Sequence, residues 1–184
     1  MHAFDYLSIF VSIIIALGVS HLLLSFARLI YLRDKVTVFL PALIWAFALF
    51  LLQIQIWWAS FYRRDIEHWS FFGFVLYLSI PSIISMLSYL NFPELKPGAD
   101  LEKDYYHNKP FFFGLLASVT IISLLEDLTR SGSLKPDANT FYRVAFLVIA
   151  ISGIVFSKKW IQYMLAFMFL TGLLCYIRTV FSML

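Results

Sequence analysis

Residues 4–31 read FDYLSIFVSIIIALGVSHLLLSFARLIY, an apolar run that is interrupted in its second half by His21. A transmembrane helix needs about 20 consecutive, mostly apolar residues, so this stretch is long enough to cross a lipid bilayer. An ionisable side chain at membrane depth is costly, and such residues usually have a partner or a functional role. The stretch therefore predicts a membrane helix, and His21 is its most unusual residue.

The composition of the 184-residue chain is also that of a membrane protein. Hydrophobic residues make up 61% of the chain and charged residues only 14%, whereas about a quarter of the residues in a soluble domain are charged. The mean hydropathy is +0.84. These values exclude a water-soluble protein. The net charge of +3 lies in short connectors, so it bears on membrane topology and does not indicate a nucleic-acid partner.

Five further apolar runs follow the first one. Because the bilayer offers no water to backbone polar groups, uncharged runs of this length predict helices. The sequence thus predicts an all-α polytopic membrane protein, a compact bundle of six transmembrane helices that forms one domain over residues 1–184. Pro110 is expected to precede the fourth span, with a polar connector before it. The expected spans are approximately residues 4–31, 36–60, 69–92, 111–130, 139–157 and 160–181.

The distribution of basic residues predicts the orientation in the membrane. Short cytoplasmic connectors carry an excess of Lys and Arg, and the connectors after the first, third and fifth spans hold more of these residues than the other side does. Both termini are therefore predicted to lie outside.

A polar stripe follows one face of the first span. Gly18, His21, Ser25 and Arg28 are spaced by three, four and three residues, which places them above one another on a helix. One interpretation is that His21 lines a proton or ion path, because an imidazole changes its charge in the physiological pH range. The other is that Gly18 and Ser25 allow close helix packing while His21 forms a hydrogen bond and Arg28 reaches the membrane surface.

The second and third spans add uncharged polar residues. Gln53 and Gln55 are two residues apart, so their side chains lie on nearly opposite helix faces and at least one needs a partner inside the protein. Ser82 and Ser85 lie on one face of the third span, just after Pro81. These residues would either line a hydrated path or allow the helices to approach closely.

A set of charged residues is expected near the outer boundary of the membrane. The predicted topology brings Asp5, Glu126, Asp127, Arg143 and Arg178 to this side. Opposite charges at that depth should pair, because an unpaired ion costs more than a pair. The set predicts either a proton-accepting carboxylate in an anionic vestibule or a cluster of salt bridges that fixes the helix ends.

Four short segments resemble a widespread set of uncharacterised bacterial six-helix integral membrane proteins. The segments are residues 4–8, 53–58, 71–74 and 105–109, which are rich in aromatic side chains. The resemblance implies a location in the bacterial inner membrane. It implies no activity and no site residues.

The sequence therefore favours a small homo-oligomeric membrane protein, a channel or transporter that passes protons or small ions. The alternative is a structural or accessory subunit of a larger membrane complex, whose aromatic residues supply lateral contact area. An enzyme is not favoured, because no pair of nucleophile and base and no metal-ligand set can be assembled from the sequence. No cofactor or metal is expected.

Overall fold

Six long helices account for most of the chain. The computed structural model describes residues 3–64, 70–133 and 136–180, and contains no β-strand within these ranges. The described helices include six that are long and apolar enough to cross a membrane, so the prediction of an all-α six-helix bundle is confirmed. The helices are α1 (Ala3–Tyr31), α2 (Leu40–Ser60), α3 (Phe71–Asn91), α4 (Leu101–Ser131), α5 (Ala138–Val155) and α6 (Lys159–Val180).

Short connectors make successive helices alternate in direction, so α1 begins on the side where α6 ends. The Trp57 indole near the end of α2 donates a hydrogen bond to Ser12 near the start of α1, at 3.3 Å. Tyr176 near the end of α6 likewise donates to Asn139 at the start of α5, at 2.8 Å. We call this the termini side of the bundle and the other the opposite side. Which side faces the cytoplasm stays a prediction.

Helix α4 begins at Leu101, well before the start that the sequence led us to expect at about residue 111. The Asp100 carboxylate accepts hydrogen bonds from the backbone N–H groups of Glu102 and Lys103, at 3.0 and 3.2 Å, which is the usual function of an N-cap residue. Pro110 lies inside the helix. The polar connector expected before Pro110 is therefore the first part of α4 from Leu101 onward, and the proline does not mark the beginning of the helix.

Helix α2 begins at Leu40, later than expected, because the preceding residues pair with another connector. Thr37 N–H donates to the Ala99 carbonyl at 3.0 Å, and Leu101 N–H donates to the Thr37 carbonyl at the same distance. These bonds join the α1–α2 connector to the α3–α4 connector. They hold the two connectors together on the opposite side of the bundle.

A group of aromatic rings fills the bundle between α2, α4 and α6. Trp45 is fully buried, and its ring centroid lies 5.2 Å from that of Phe112, 5.4 Å from that of Phe113 and 4.7 Å from that of Phe169. Such ring pairs add to the free energy of burial. We call these four residues the aromatic layer. They close the interior of the bundle toward the opposite side.

Lys109 joins α4 to the end of α5. Its side chain is buried, and its ammonium group donates to the carbonyls of Ile154 and Phe156 and to the Ser157 hydroxyl, at 3.2, 3.1 and 2.8 Å. The last carbonyls of a helix have no partner within the helix and carry a partial negative charge. Lys109 therefore caps α5 and is not a free charge of the connector.

The contact between α4 and α5 depends on a glycine. Gly153 of α5 is buried, and a Cβ atom at this position would overlap the ring of Phe113. Gly114 of α4 also lies within a helix, but a Cβ atom there would meet no other atom within 4 Å. Both glycines therefore have a helical backbone, but only Gly153 has a neighbouring side chain in the place of a Cβ atom.

We expect Gly153→Ala to lower the thermal stability of the purified protein and Gly114→Ala to leave it unchanged or raise it. Alanine is favoured over glycine in helices by about 1 kcal/mol, whereas an overpacked core costs about 1–3 kcal/mol. The midpoint of thermal unfolding in mild detergent measures both variants. Equal midpoints for the two variants would show that Gly153 is not a packing constraint.

Candidate functional site

A cavity of about 380 Å³ lies in the half of the bundle next to the termini side. Five helices form its wall: the ends of α2, α4 and α6 and the first halves of α3 and α5. Helix α1 contributes no lining residue among those described. Ile84, Leu116 and Phe169 are the apolar residues of its deep end, so the aromatic layer lies directly below it.

Two ion pairs occupy the wall near the helix ends. Arg63, in the turn that follows α2, pairs with Glu126 of α4, and Arg143 of α5 pairs with Asp127 of α4. Arg143 also donates to the Ser123 carbonyl at 3.0 Å. The Arg63 and Glu126 side chains are only 21% and 14% exposed. Each carboxylate thus has a guanidinium partner, and the four charged groups add up to no net charge.

Three of the five residues expected in the outer ionic cluster meet here, namely Glu126, Asp127 and Arg143. Arg178 is exposed and forms no ion pair within the described part of the chain, and the Asp5 side chain lies outside the described residues. Arg63 was not among the residues that the sequence led us to expect here. Arg63 would have been found by asking which cationic residues at the helix ends on this side could pair with Glu126.

Below the ion pairs the wall is mostly apolar and carries a few uncharged polar groups. The guanidinium of Arg63 lies 4.5 Å from the centre of the Tyr77 ring, in a cation–π contact. Ser60 donates its hydroxyl hydrogen to the Trp57 carbonyl at 2.6 Å, and Thr120 donates to the Ala117 carbonyl at 2.8 Å. The hydrogens of these two hydroxyl groups are thus bound to backbone carbonyls.

The two glutamines of α2 have different surroundings. Gln53 is fully buried outside the cavity, and its Nε2 donates to the Ser88 hydroxyl at 3.1 Å. Gln55 lines the cavity and is 8% exposed, yet its side chain forms no hydrogen bond with any other described residue. The two side chains thus lie in different surroundings, and Oε1 of Gln53 has no hydrogen-bond partner among the described residues.

His21 lies outside the cavity and holds the end of α3. Its Nε2 is 2.7 Å from the carbonyl oxygen of Phe92, the residue that caps α3. Since a carbonyl can only accept, Nε2 carries the hydrogen. The imidazole also stacks on the Tyr89 ring, with 3.8 Å between centroids, and the Ser25 hydroxyl is 3.5 Å from Nε2. These contacts join α1 to α3.

The rest of the polar stripe also contacts α3 or the segment after it. Gly18 packs against the side chains of Gln53 and Ser85, and Ser85 donates to the Ile14 carbonyl at 2.9 Å. Arg28 pairs with Glu94 at 3.4 Å, with both side chains more than half exposed, so this pair adds little stability. The stripe is thus the packing face of α1.

Of the predicted pathway residues, the cavity includes Gln55 alone. Ser82 donates to the Leu78 carbonyl of its own helix, at 2.7 Å. The pathway function of the others stays a prediction. Those that do not line the cavity are His21, Ser25, Arg28, Gln53, Ser82 and Ser85.

Comparison with protein-family models, with curated proteins and with solved structures finds no match. The described residues contain no group of three or more His, Cys, Asp or Glu side chains that could hold a metal ion. The chemistry of the cavity must therefore be derived from its own residues. These residues offer paired carboxylates, neutral hydrogen-bond acceptors and aromatic rings.

We expect His21→Ala to destabilise the protein, because it leaves the Phe92 carbonyl without its partner and removes the stacking on Tyr89. A buried polar group that loses its hydrogen bond costs about 1–3 kcal/mol. The exposed His107 provides the control, and His107→Ala should have little effect on the unfolding midpoint. If both variants unfold at the wild-type temperature, His21 does not fix α3.

Proposed function

We propose that this chain passes protons or small ions across a lipid bilayer and that the cavity on the termini side is their entrance. The observation that carries the proposal is a cavity inside an apolar bundle whose mostly apolar wall includes two ion pairs. Ionisable residues at membrane depth are costly and typically belong to ion or proton pathways. The chain places two carboxylates and an unpartnered amide on the same cavity.

Glu126 and Asp127 are the acceptors in this proposal. Each is paired with an arginine, so an arriving cation or proton replaces part of that pairing and does not meet an isolated charge. Arg63 and Arg143 then keep the site close to neutral. Because the site has little net charge, a cation that enters it is not bound so tightly that it cannot leave.

Passage to the opposite side requires a rearrangement, because the aromatic layer fills the bundle below the cavity. Pro81 lies inside α3 and on the cavity wall. A proline removes one hydrogen bond from a helix and permits a bend, so we place the movement that opens the layer at Pro81. A homo-oligomer, in which copies support one another during this movement, completes the proposal.

Flux into proteoliposomes tests the proposal. Glu126→Gln and Asp127→Asn should each lower proton or monovalent-cation flux by about tenfold or more, the effect of losing roughly 1.4 kcal/mol of interaction with the passing ion. Glu94→Gln is the control, because Glu94 is an exposed carboxylate outside the cavity. Circular dichroism and gel filtration establish that the variants compared are folded.

Flux that is unchanged in both cavity variants would remove the cavity from the pathway. Flux no higher than in empty liposomes, for every ion tried, would overturn the proposed function and leave the accessory-subunit alternative.

A further inference from the structure

We infer that the opposite side of the bundle binds the headgroups of anionic phospholipids and that four exposed lysines attract them. The four are Lys35, Lys96, Lys103 and Lys158, which we call the basic platform. This binding is independent of the proposed function, because the cavity and its ion pairs lie in the other half of the bundle. Three properties of the surface support it: its surplus of positive charge, its fixed backbone and its exposed aromatic neighbours.

The net positive charge of the chain lies on the opposite side. Residues 28–35, 94–109 and 158–159 hold eight Lys and Arg residues against five Asp and Glu residues, a surplus equal to the net charge of +3 of the whole chain. Neighbouring charges of one sign create a potential that attracts the other sign. An anionic surface therefore matches this side of the bundle in charge.

The acidic residues of this side are mostly engaged, whereas the four lysines are not. Three of the five form ion pairs, namely Glu94–Arg28, Asp34–Arg33 and Glu102–Lys159. A fourth, Asp100, caps α4, and only Asp104 has neither function. No lysine of the basic platform takes part in an ion pair within the described part of the chain. The charges of the platform are thus available to a partner outside the chain.

Backbone hydrogen bonds fix three of the lysines in one piece of structure. The Gly98 N–H donates to the Lys35 carbonyl at 2.7 Å. In the turn after Lys96, the Ala99 N–H donates to the Lys96 carbonyl at 3.0 Å, and Gly98 has a φ of +88°, which glycine adopts at low cost. Lys103 follows in the first turn of α4. The three side chains therefore extend from a surface of fixed shape.

The fourth lysine lies beside the other three. Lys158 directly precedes Lys159, whose ammonium group donates to a carboxylate oxygen of Glu102 at 2.7 Å. Glu102 in turn directly precedes Lys103. This salt bridge joins the start of α6 to the start of α4, so the four lysines belong to one continuous surface.

Exposed aromatic rings next to the lysines favour a lipid over a soluble anion. Tyr31 is 88% exposed, Trp160 61% and Phe156 48%, and Lys158 lies between the last two in the chain. Aromatic side chains of this kind are typical of the headgroup level of a bilayer. A phospholipid offers a phosphate to the lysines and an apolar chain to the rings, whereas a free phosphate or an acidic peptide offers only charge.

The predicted orientation agrees with this partner. The distribution of basic residues predicts that the opposite side is cytoplasmic, and the cytoplasmic leaflet carries the anionic lipids that attract basic segments near the membrane. We therefore expect the lysines to meet anionic headgroups in the bilayer.

Titration of two lipids into the full chain in a non-ionic detergent tests the inference. The lipids are phosphatidylglycerol and phosphatidylcholine with the same acyl chains, and the rise in the midpoint of thermal unfolding measures binding. We expect phosphatidylglycerol to bind about tenfold more tightly or better, because phosphatidylcholine has no net charge. Raising the salt concentration from about 50 to about 500 mM should reduce this difference, because salt screens exposed charges.

Substitutions in the basic platform test the assignment of the lysines. Lys96→Gln should weaken phosphatidylglycerol binding by about fivefold, and Lys35→Gln together with Lys96→Gln by about 25-fold, since each lysine near an anionic surface contributes roughly 1 kcal/mol. Lys96→Arg keeps the charge and should bind as the wild type does. Arg178→Gln removes an exposed charge on the termini side and is the control, with wild-type binding expected. Gel filtration establishes that the variants are folded.

Equal binding of the two lipids, or wild-type affinity in the double variant, would overturn the inference. Inorganic phosphate or polyglutamate that raises the midpoint as much as phosphatidylglycerol does would overturn the assignment to a lipid. The flux assay fails separately. Phosphatidylglycerol binding that depends on Lys35 and Lys96, without flux of any ion, would support this inference and overturn the proposed function alone.

Discussion

The apolar interior of the bilayer is the constraint on which the structure depends, because polar side chains there must find partners within the protein. Lys109 finds its partners at the end of α5, where it donates to the last carbonyls of the helix. His21 finds its partner at the end of α3, where it donates to the carbonyl of Phe92. In both cases a polar side chain that is expensive in lipid completes the hydrogen bonding of a helix end. These residues therefore fix the positions of helices.

The cavity meets the same constraint differently. Its two ion pairs satisfy each other, but Gln55 has no partner among the described residues. Unsatisfied atoms also occur among the packed residues, since Oε1 of the buried Gln53, which lies against Gly18 of α1, has no hydrogen-bond partner in the described part of the chain. The cavity therefore differs from the packing face of α1 in its volume and in its partly buried ion pairs.

The sequence was sufficient for the class of fold, because the length and apolarity of each span follow from bilayer thickness alone. It also indicated that Glu126, Asp127 and Arg143 would lie on one side. It did not reveal that α4 begins at Leu101, since Pro110 looked like a boundary when its tertiary neighbours were unknown. Nor could it show which glutamine faces a cavity, because that depends on how the helices are rotated against one another.

The proposed ion entrance requires that water enter the cavity from the termini side. Thr120 lines the cavity, whereas Ser118, two residues earlier on α4, does not. In a background where the exposed Cys175 is replaced by alanine, Thr120→Cys and Ser118→Cys can be treated with a charged, membrane-impermeant methanethiosulfonate. We predict rapid modification of Thr120→Cys from the termini side alone, with Ser118→Cys unmodified. An unreactive Thr120→Cys, or equal reactivity of the two variants, would contradict the claim.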